Sequence, residues 1–304
     1  MNITFILFKQ IVIMFLLIAI GYYLYKKKFV TLTGSNEIGK ILLNLVIPIV
    51  IINSFWTERT IDKTNSLIHA AIVSIIVMGI AVIVSTIIFG KKNGVACFSS
   101  AFSNAGFIGI PLVQAVVGEN AVFYISIMIV LINFLQWTYG VYVMTNDPSV
   151  MKPSVVMKNP IVISVLIGIV IYFLNIPRID MVNTLISNIT CINTPLAMFV
   201  SGIYLAQSQL LKMIKRKETW YVCLVRLVLI PCISAVILKL IPFGANELKI
   251  AILLAAACPV GSNVAIFAQQ YDKDYTTAVE QVCLSTILCL FTIPLVVTIT
   301  TAIL

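Results

Sequence analysis

Charge is scarce in this chain. Only 10% of its 304 residues carry ionisable Asp, Glu, Lys or Arg side chains, eleven of them acidic, and histidine occurs once, at His69. A soluble domain of this length would hold about 25% charged residues. The shortage excludes a water-facing surface over most of the chain. One histidine cannot supply a metal site of the usual kind. No HExxH, GxSxG or Walker A motif occurs, so the zinc-protease, serine-hydrolase and P-loop classes are excluded. The seven cysteines include no CxxC pair. They are scattered through apolar runs and read as small core hydrophobes, with Cys258 set apart by its neighbour Pro259. No cofactor, metal or catalytic group is expected.

What is present is hydrophobicity: 61% apolar residues and a mean hydropathy of +1.09. Both values belong to a polytopic membrane protein. At about 20 residues per crossing, ten spans are predicted: 3–25, 37–56, 65–90, 94–118, 120–145, 159–176, 181–205, 219–240, 247–270 and 275–303. The first is not a signal peptide, because its basic cluster Lys26–Lys28 follows the apolar run and no cleavage site is evident. Loops after odd-numbered spans hold twelve lysines and arginines, those after even-numbered spans five. That bias places the odd loops in the cytoplasm and both termini outside. It also explains the net charge of +9 as topology rather than as a nucleic-acid patch.

Two spans refuse to be regular helices. In FSNAGFIGIPLVQAVVG, residues 102–118, Gly106, Gly109 and Pro111 interrupt an apolar run, with Ser103 and Asn104 before the break and Gln114 after it. A second break falls at 257–263, where Pro259 and Gly261 precede Ser262 and Asn263. Irregular backbone survives at membrane depth only where it is buried in protein or lines a wet cavity. Half-helix ends meeting there offer free N–H groups to an anion. Paired breaks in two halves point to a transporter's binding site.

The halves divide at Asn146–Met157. This gives a first five-helix repeat, 1–145, a cytoplasmic linker, 146–157, and a second repeat, 158–304. Because five is odd, a duplication would be inverted in the membrane. Pro48 and Pro111, in spans 2 and 4, correspond in this scheme to Pro195 and Pro259, in spans 7 and 9.

The run SNAGFIGIPL, 103–112, with Gly118-Glu119 after it, resembles the fourth-helix signature of the auxin efflux carrier family. CPVGSNVAIFAQQYDKD, 258–274, is similar to that family's ninth helix, LSTILCLFTIPL, 284–295, to its tenth, and KNPIVISVLIGIV, 158–170, to its sixth. The likeness covers essentially the whole chain and lacks the long cytoplasmic insert of the plant members. It implies a short, prokaryote-type carrier of a small organic anion such as malate or malonate in the cytoplasmic membrane. The implied fold is all-α, with ten transmembrane helices as a 5+5 inverted repeat like that of sodium/proton antiporters and bile-acid symporters. Helices 1, 2, 6 and 7 would form a scaffold and helices 3–5 and 8–10 a moving transport domain. Helices 4 and 9 would cross at mid-membrane, with Pro111 and Pro259 as crossover prolines. A homodimer through the scaffold is in keeping with such folds.

Among single residues, Asn104 and Asn263 are expected to hydrogen-bond a substrate carboxylate or to cap a freed helix end; Ser103, Ser262 and Gln114 rank behind them. Asn44, one turn before Pro48, either faces the crossing or bonds a neighbouring helix. Gly106, Gly109 and Gly261 would allow close backbone approach. Glu280 is a candidate proton carrier or a solvated rim carboxylate. Arg226 is placed within reach of the cytoplasmic surface, and Trp56, Trp137 and Trp220 in interfacial belts. A sodium-coupled symporter of the same fold and a sensor without transport are the alternatives. The lack of a carboxylate at the crossing weighs against sodium.

Overall fold

The computed structural model describes residues 3–151, 153–207 and 210–303. All regular structure among them is helical, apart from one isolated antiparallel bridge between Ser103 and Val260. Along the chain run α1 (Ile3–Lys26), α2 (Leu32–Phe55), α3 (Ile61–Phe89), α4 (Gly94–Ala101), α5 (Ala105–Val116), α6 (Glu119–Thr145), α7 (Pro160–Leu174), α8 (Asp180–Gln207), α9 (Lys217–Leu240), α10 (Asn246–Ala257), α11 (Asn263–Gln270) and α12 (Tyr275–Ile303). Among the described residues seven helices are long and apolar enough to cross a membrane: α1, α2, α3, α6, α8, α9 and α12. The other three predicted spans fall on the short apolar helix α7 and on the two broken pairs, α4–α5 and α10–α11, none of which is a helix of that length. Exposed apolar residues such as Leu16, Ile83, Ile87, Leu166, Leu174 and Leu295 are what a lipid-facing exterior requires.

Proline shapes several of these helices. It lacks an N–H and its ring clashes with the carbonyl four residues earlier. For Pro48, Pro111 and Pro231 that carbonyl belongs to Asn44, Phe107 and Leu227. Each of these lies in the middle of a wide, π-type turn, at Leu42–Val46, Ala105–Gly109 and Val225–Leu229. The wide turn gives the ring room without ending the helix.

Packing follows a definite set of pairs. α1 lies along the second part of α8, and α2 along α7; α3 packs on α6 and α9 on α12. α4 rests against α9 and α12, while α10 rests against α3 and α6. Glycines set the closest approaches. A Cβ at Gly202 would overlap the Ile18 carbonyl, and one at Gly21 the Phe199 carbonyl, so α1 and α8 touch backbone to backbone. A Cβ at Gly168 would come within 2.8 Å of the Phe55 ring, which fixes α7 on α2. The loops after α2 and α7 add polar ties: the Trp56 indole donates to the Ile176 carbonyl (2.8 Å), and Arg178 donates to the carbonyls of Trp56 and Asn53.

Candidate functional site

The two breaks meet. Asn104 N–H donates to the Pro259 carbonyl (2.8 Å), and Gly261 N–H to the Phe102 carbonyl (2.9 Å), so 102–104 and 259–261 run antiparallel as a two-bond clasp. Ser285 on α12 adds a third tie by accepting from Val260 N–H at 3.0 Å. Backbone groups released by the breaks therefore satisfy one another, as burial in an apolar interior demands. A Cβ at Gly261 would lie 3.3 Å from the carbonyl oxygens of both Phe102 and Ser103, and this clasp is tight enough to favour glycine.

Beside the clasp lies a cavity of about 220 Å³. Its walls bring together Asn44, Ser103, Asn104, Gly106, Gly261, Ser262 and Asn263, seven of the residues predicted from sequence. Gly109, Pro111, Gln114, Pro259 and Glu280 are not in its lining. Gly109 instead faces α10, where a Cβ would touch the Cys258 sulfur at 3.4 Å. Pro111 and Pro259 take different places at the two breaks. Pro259 offers its carbonyl to the clasp, whereas Pro111 sits inside α5 beyond the wide turn, because a helix break and a proline-induced wide turn are different solutions to a missing donor.

Sequence reading missed four lining amides: Asn133 and Gln136 on α6, Asn159 before α7, and Gln270 on α11. With Asn44, Asn104 and Asn263 they make a wall of seven side-chain amides, and no Asp, Glu, Lys or Arg is among the described residues that line it. The amides support one another. Asn263 donates to Gln136 Oε1 at 2.9 Å, Asn159 donates to Asn133 Oδ1 at 3.2 Å, and Asn133 donates to the Ile129 carbonyl at 2.8 Å. Asn104 Oδ1 accepts from Phe107 N–H (3.4 Å) as the N-cap of α5, which leaves its NH₂ as a donor. Trp137, expected at an interface, lines the cavity and stacks edge-on against Phe267 at 4.7 Å.

Three helix N-termini open on this space: α5 after Asn104, α11 after Ser262, and α7 after Asn159, whose Oδ1 accepts from Ile161 N–H at 2.9 Å. Each carries roughly half a positive charge, with part of its first turn already capped: Phe107 N–H by Asn104, Ile161 N–H by Asn159, and Val264 and Ala265 N–H by the carbonyls of Gly261 and Ser262. A second cavity, about 410 Å³, flanks the other face of α11 and is lined by Asn36, Tyr204, Gln207, Gln269 and Tyr275 among others. Ser262 and Ile266 border both cavities. The apolar space beside α5, lined by Ile11, Met14, Ile108, Leu112 and Met198, holds only about 10 Å³, no more than one water needs.

Two charged residues end up where the sequence did not place them. Arg226 is 1% exposed and lies at the crossing, donating through Nη1 to the carbonyls of Ser100 and Ala101, each at 3.1 Å, and through Nη2 to Ala256. Counted from Lys217 it is nine residues into α9, roughly 14 Å at 1.5 Å per residue, and it is buried in protein rather than exposed. Glu280 is 3% exposed and faces Arg216, whose Nε is 3.1 Å from its carboxylate; the same guanidinium reaches Asp274 at 3.4 Å.

The sequence matches the family described as "Membrane transport protein" over residues 6–157 and 149–297. The chain belongs to the auxin efflux carrier family. Among its relatives is a protein of Rhizobium meliloti named "Putative malonate transporter", 27% identical over 225 residues, with 68% of each chain covered. As a member of the auxin efflux carrier family, the chain is a multi-pass membrane transport protein and not an enzyme.

Proposed function

We propose that the chain is a secondary transporter that moves a small organic anion, a dicarboxylate of the malonate class, across the cytoplasmic membrane. The observation that carries this reading is the cavity at the clasp. Its three helix N-termini and its amide donors suit a carboxylate, and it has no acidic side chain among its lining residues to repel one. The same lack of carboxylates weighs against a sodium site, since hard cations take oxygen ligands rich in carboxylate. The name borne by the Rhizobium relative agrees with a dicarboxylate cargo.

The working architecture is ten crossings in a 5+5 inverted repeat, 1–145 and 158–304, joined by the linker 146–157. The packing pairs support it. Exchanging the halves turns the α1–α8 pair into α7–α2, the α3–α6 pair into α9–α12, and α4 on α9 and α12 into α10 on α3 and α6. Crossings 1, 2, 6 and 7 then form the scaffold, where the glycine contacts and the Arg178–Trp56 ties favour rigidity. Crossings 3–5 and 8–10 form the bundle that moves like an elevator. The exposed apolar face of α7 offers a surface for a homodimer. Both cavities flank α11 towards the ends that bear the lysine- and arginine-rich loops, which supports an inward-open conformation with the termini outside. Glu280 is held against Arg216, outside the lining of the central cavity. Uniport or exchange is therefore favoured over proton coupling at that residue.

The test is uptake of labelled malonate and malate into liposomes holding the purified protein, with imposed pH or sodium gradients. Saturable uptake that needs no sodium is expected. Failure to move any dicarboxylate, with flux of neutral compounds instead, would overturn the anion reading.

A further inference from the structure

We infer that Arg226 is a positioning residue that turns the crossing from an electrically balanced junction into an anion site. The inference rests on the carrier reading above. At each break a helix C-terminus and a helix N-terminus lie close together. α4 and α10 end there with unsatisfied carbonyls worth roughly −0.5 charge each, and α5 and α11 begin there with roughly +0.5 each. Left alone, the four ends cancel, and an anion entering the cavity would meet only the half charge at the start of α7. The Arg226 guanidinium sits on the two negative ends only, with the Ser100 and Ala101 carbonyls closing α4 and the Ala256 carbonyl one residue before the end of α10. Its full charge offsets both of them and leaves the two N-termini unopposed at the cavity wall.

The guanidinium is suited to this task. Its planar fork lets one side chain serve two separate helix ends at once, which a lysine ammonium does less well. The wide turn Val225–Leu229 in α9, created ahead of Pro231, is where Arg226 lies. Its contacts are carbonyls rather than carboxylates, so its charge is spent on helix ends and not on an acid. Among the described residues the cavity lining contains no basic side chain, which makes this remote charge the natural source of the site's sign.

The experiment compares Arg226→Gln and Arg226→Lys with wild type as full chains in detergent, titrated with malonate and with malonamide, its uncharged analogue. Binding is followed through the fluorescence of Trp137 in the cavity wall, and fold integrity by thermal unfolding. Arg226→Gln should lose on the order of 30-fold in malonate affinity, as removal of a nearby charge in a partly buried site implies. Malonamide affinity should change less than about threefold, and Arg226→Lys should keep most of the preference for malonate. Parallel losses for both ligands in Arg226→Gln would mean a structural role only and overturn the inference while leaving the carrier reading intact. Where Arg226→Gln does not fold, a folded Arg226→Lys that has lost its malonate preference overturns it equally. A wild type that binds neither ligand overturns the carrier reading, and this inference with it.

Discussion

Asn104 serves two purposes that substitution can separate. Its Oδ1 caps α5 and its NH₂ is a donor at the cavity wall. Asn104→Ala removes both. Loss of the cap costs about 1 kcal/mol of stability, and loss of a hydrogen bond to a charged carboxylate costs about 1.5–3 kcal/mol of binding, roughly 10- to 150-fold. Asn104→Asp keeps the cap, because aspartate serves at that position as well as asparagine does. It also puts a negative charge beside the expected anion. At about 4 Å and an effective dielectric near 20 the repulsion is about 4 kcal/mol, close to a thousandfold. The two variants should therefore rank in opposite orders: Asn104→Asp unfolds at nearly the wild-type temperature yet binds malonate more weakly than Asn104→Ala. Thermal unfolding in detergent and malonate titration at pH 8 measure both. An Asn104→Asp protein that binds malonate within about tenfold of wild type would refute the claim that the anion sits at this wall.

Three further outcomes follow from the packing. Gly202→Ala pushes a methyl into the Ile18 carbonyl and should cost about 1–3 kcal/mol, seen as a lower unfolding temperature; an unchanged one would mean that α1 and α8 are not in backbone contact. Gln136→Leu and Asn263→Leu, singly and together, should show a coupling of about 0.5–1.5 kcal/mol in a double-mutant cycle on stability, whereas additive losses would mean the 2.9 Å bond between them is not made. Asp274 caps α12 by accepting from Thr277 N–H at 2.9 Å. Burial raises its pKa, but the Thr277 bonds and the Arg216 charge outweigh this and hold it below the usual carboxylate value. Its stabilisation should be complete above the unfolded pKa of about 3.9 and fade as pH falls through the lower folded value. Asp274→Ala should therefore lose about 1 kcal/mol at pH 7, with the gap to wild type narrowing as pH falls below the unfolded value.

The breaks were legible because glycine, proline and Ser-Asn pairs stand out against an apolar background. A broken helix in lipid has few physical excuses. Ser103, Asn104, Ser262 and Asn263 met at one wall as the sequence suggested, and so did Asn44, read from its place one turn before Pro48. Asn133, Gln136 and Asn159 were not foreseen, though a signal existed, since two amides within four residues of an apolar span need partners. Which partner they find depends on α6 facing both α11 and the start of α7, and no local pattern encodes that. Gln114, offered by the same logic as Asn104, is not part of the cavity wall. The burial of Arg226 and its carbonyl partners were not foreseen from its place along the chain. Depth depends on where the helix starts, and only tertiary packing reveals the carbonyls waiting for the guanidinium.

Arg226 also has an electrical consequence. α9 belongs to the bundle proposed to move, and its guanidinium contacts carbonyls on α4 and α10, which would move with it. On this hypothesis the empty bundle carries a full positive charge through the membrane's field. A charge crossing the whole field is worth about 2.3 kcal/mol per 100 mV, so an inside-negative voltage holds the unloaded carrier towards the cytoplasm. A singly charged cargo silences the journey electrically, and a doubly charged one reverses its sign. Transient currents carried by the loaded bundle should then be present with malonate and vanish with its monoamide, and equal currents for both would end the idea.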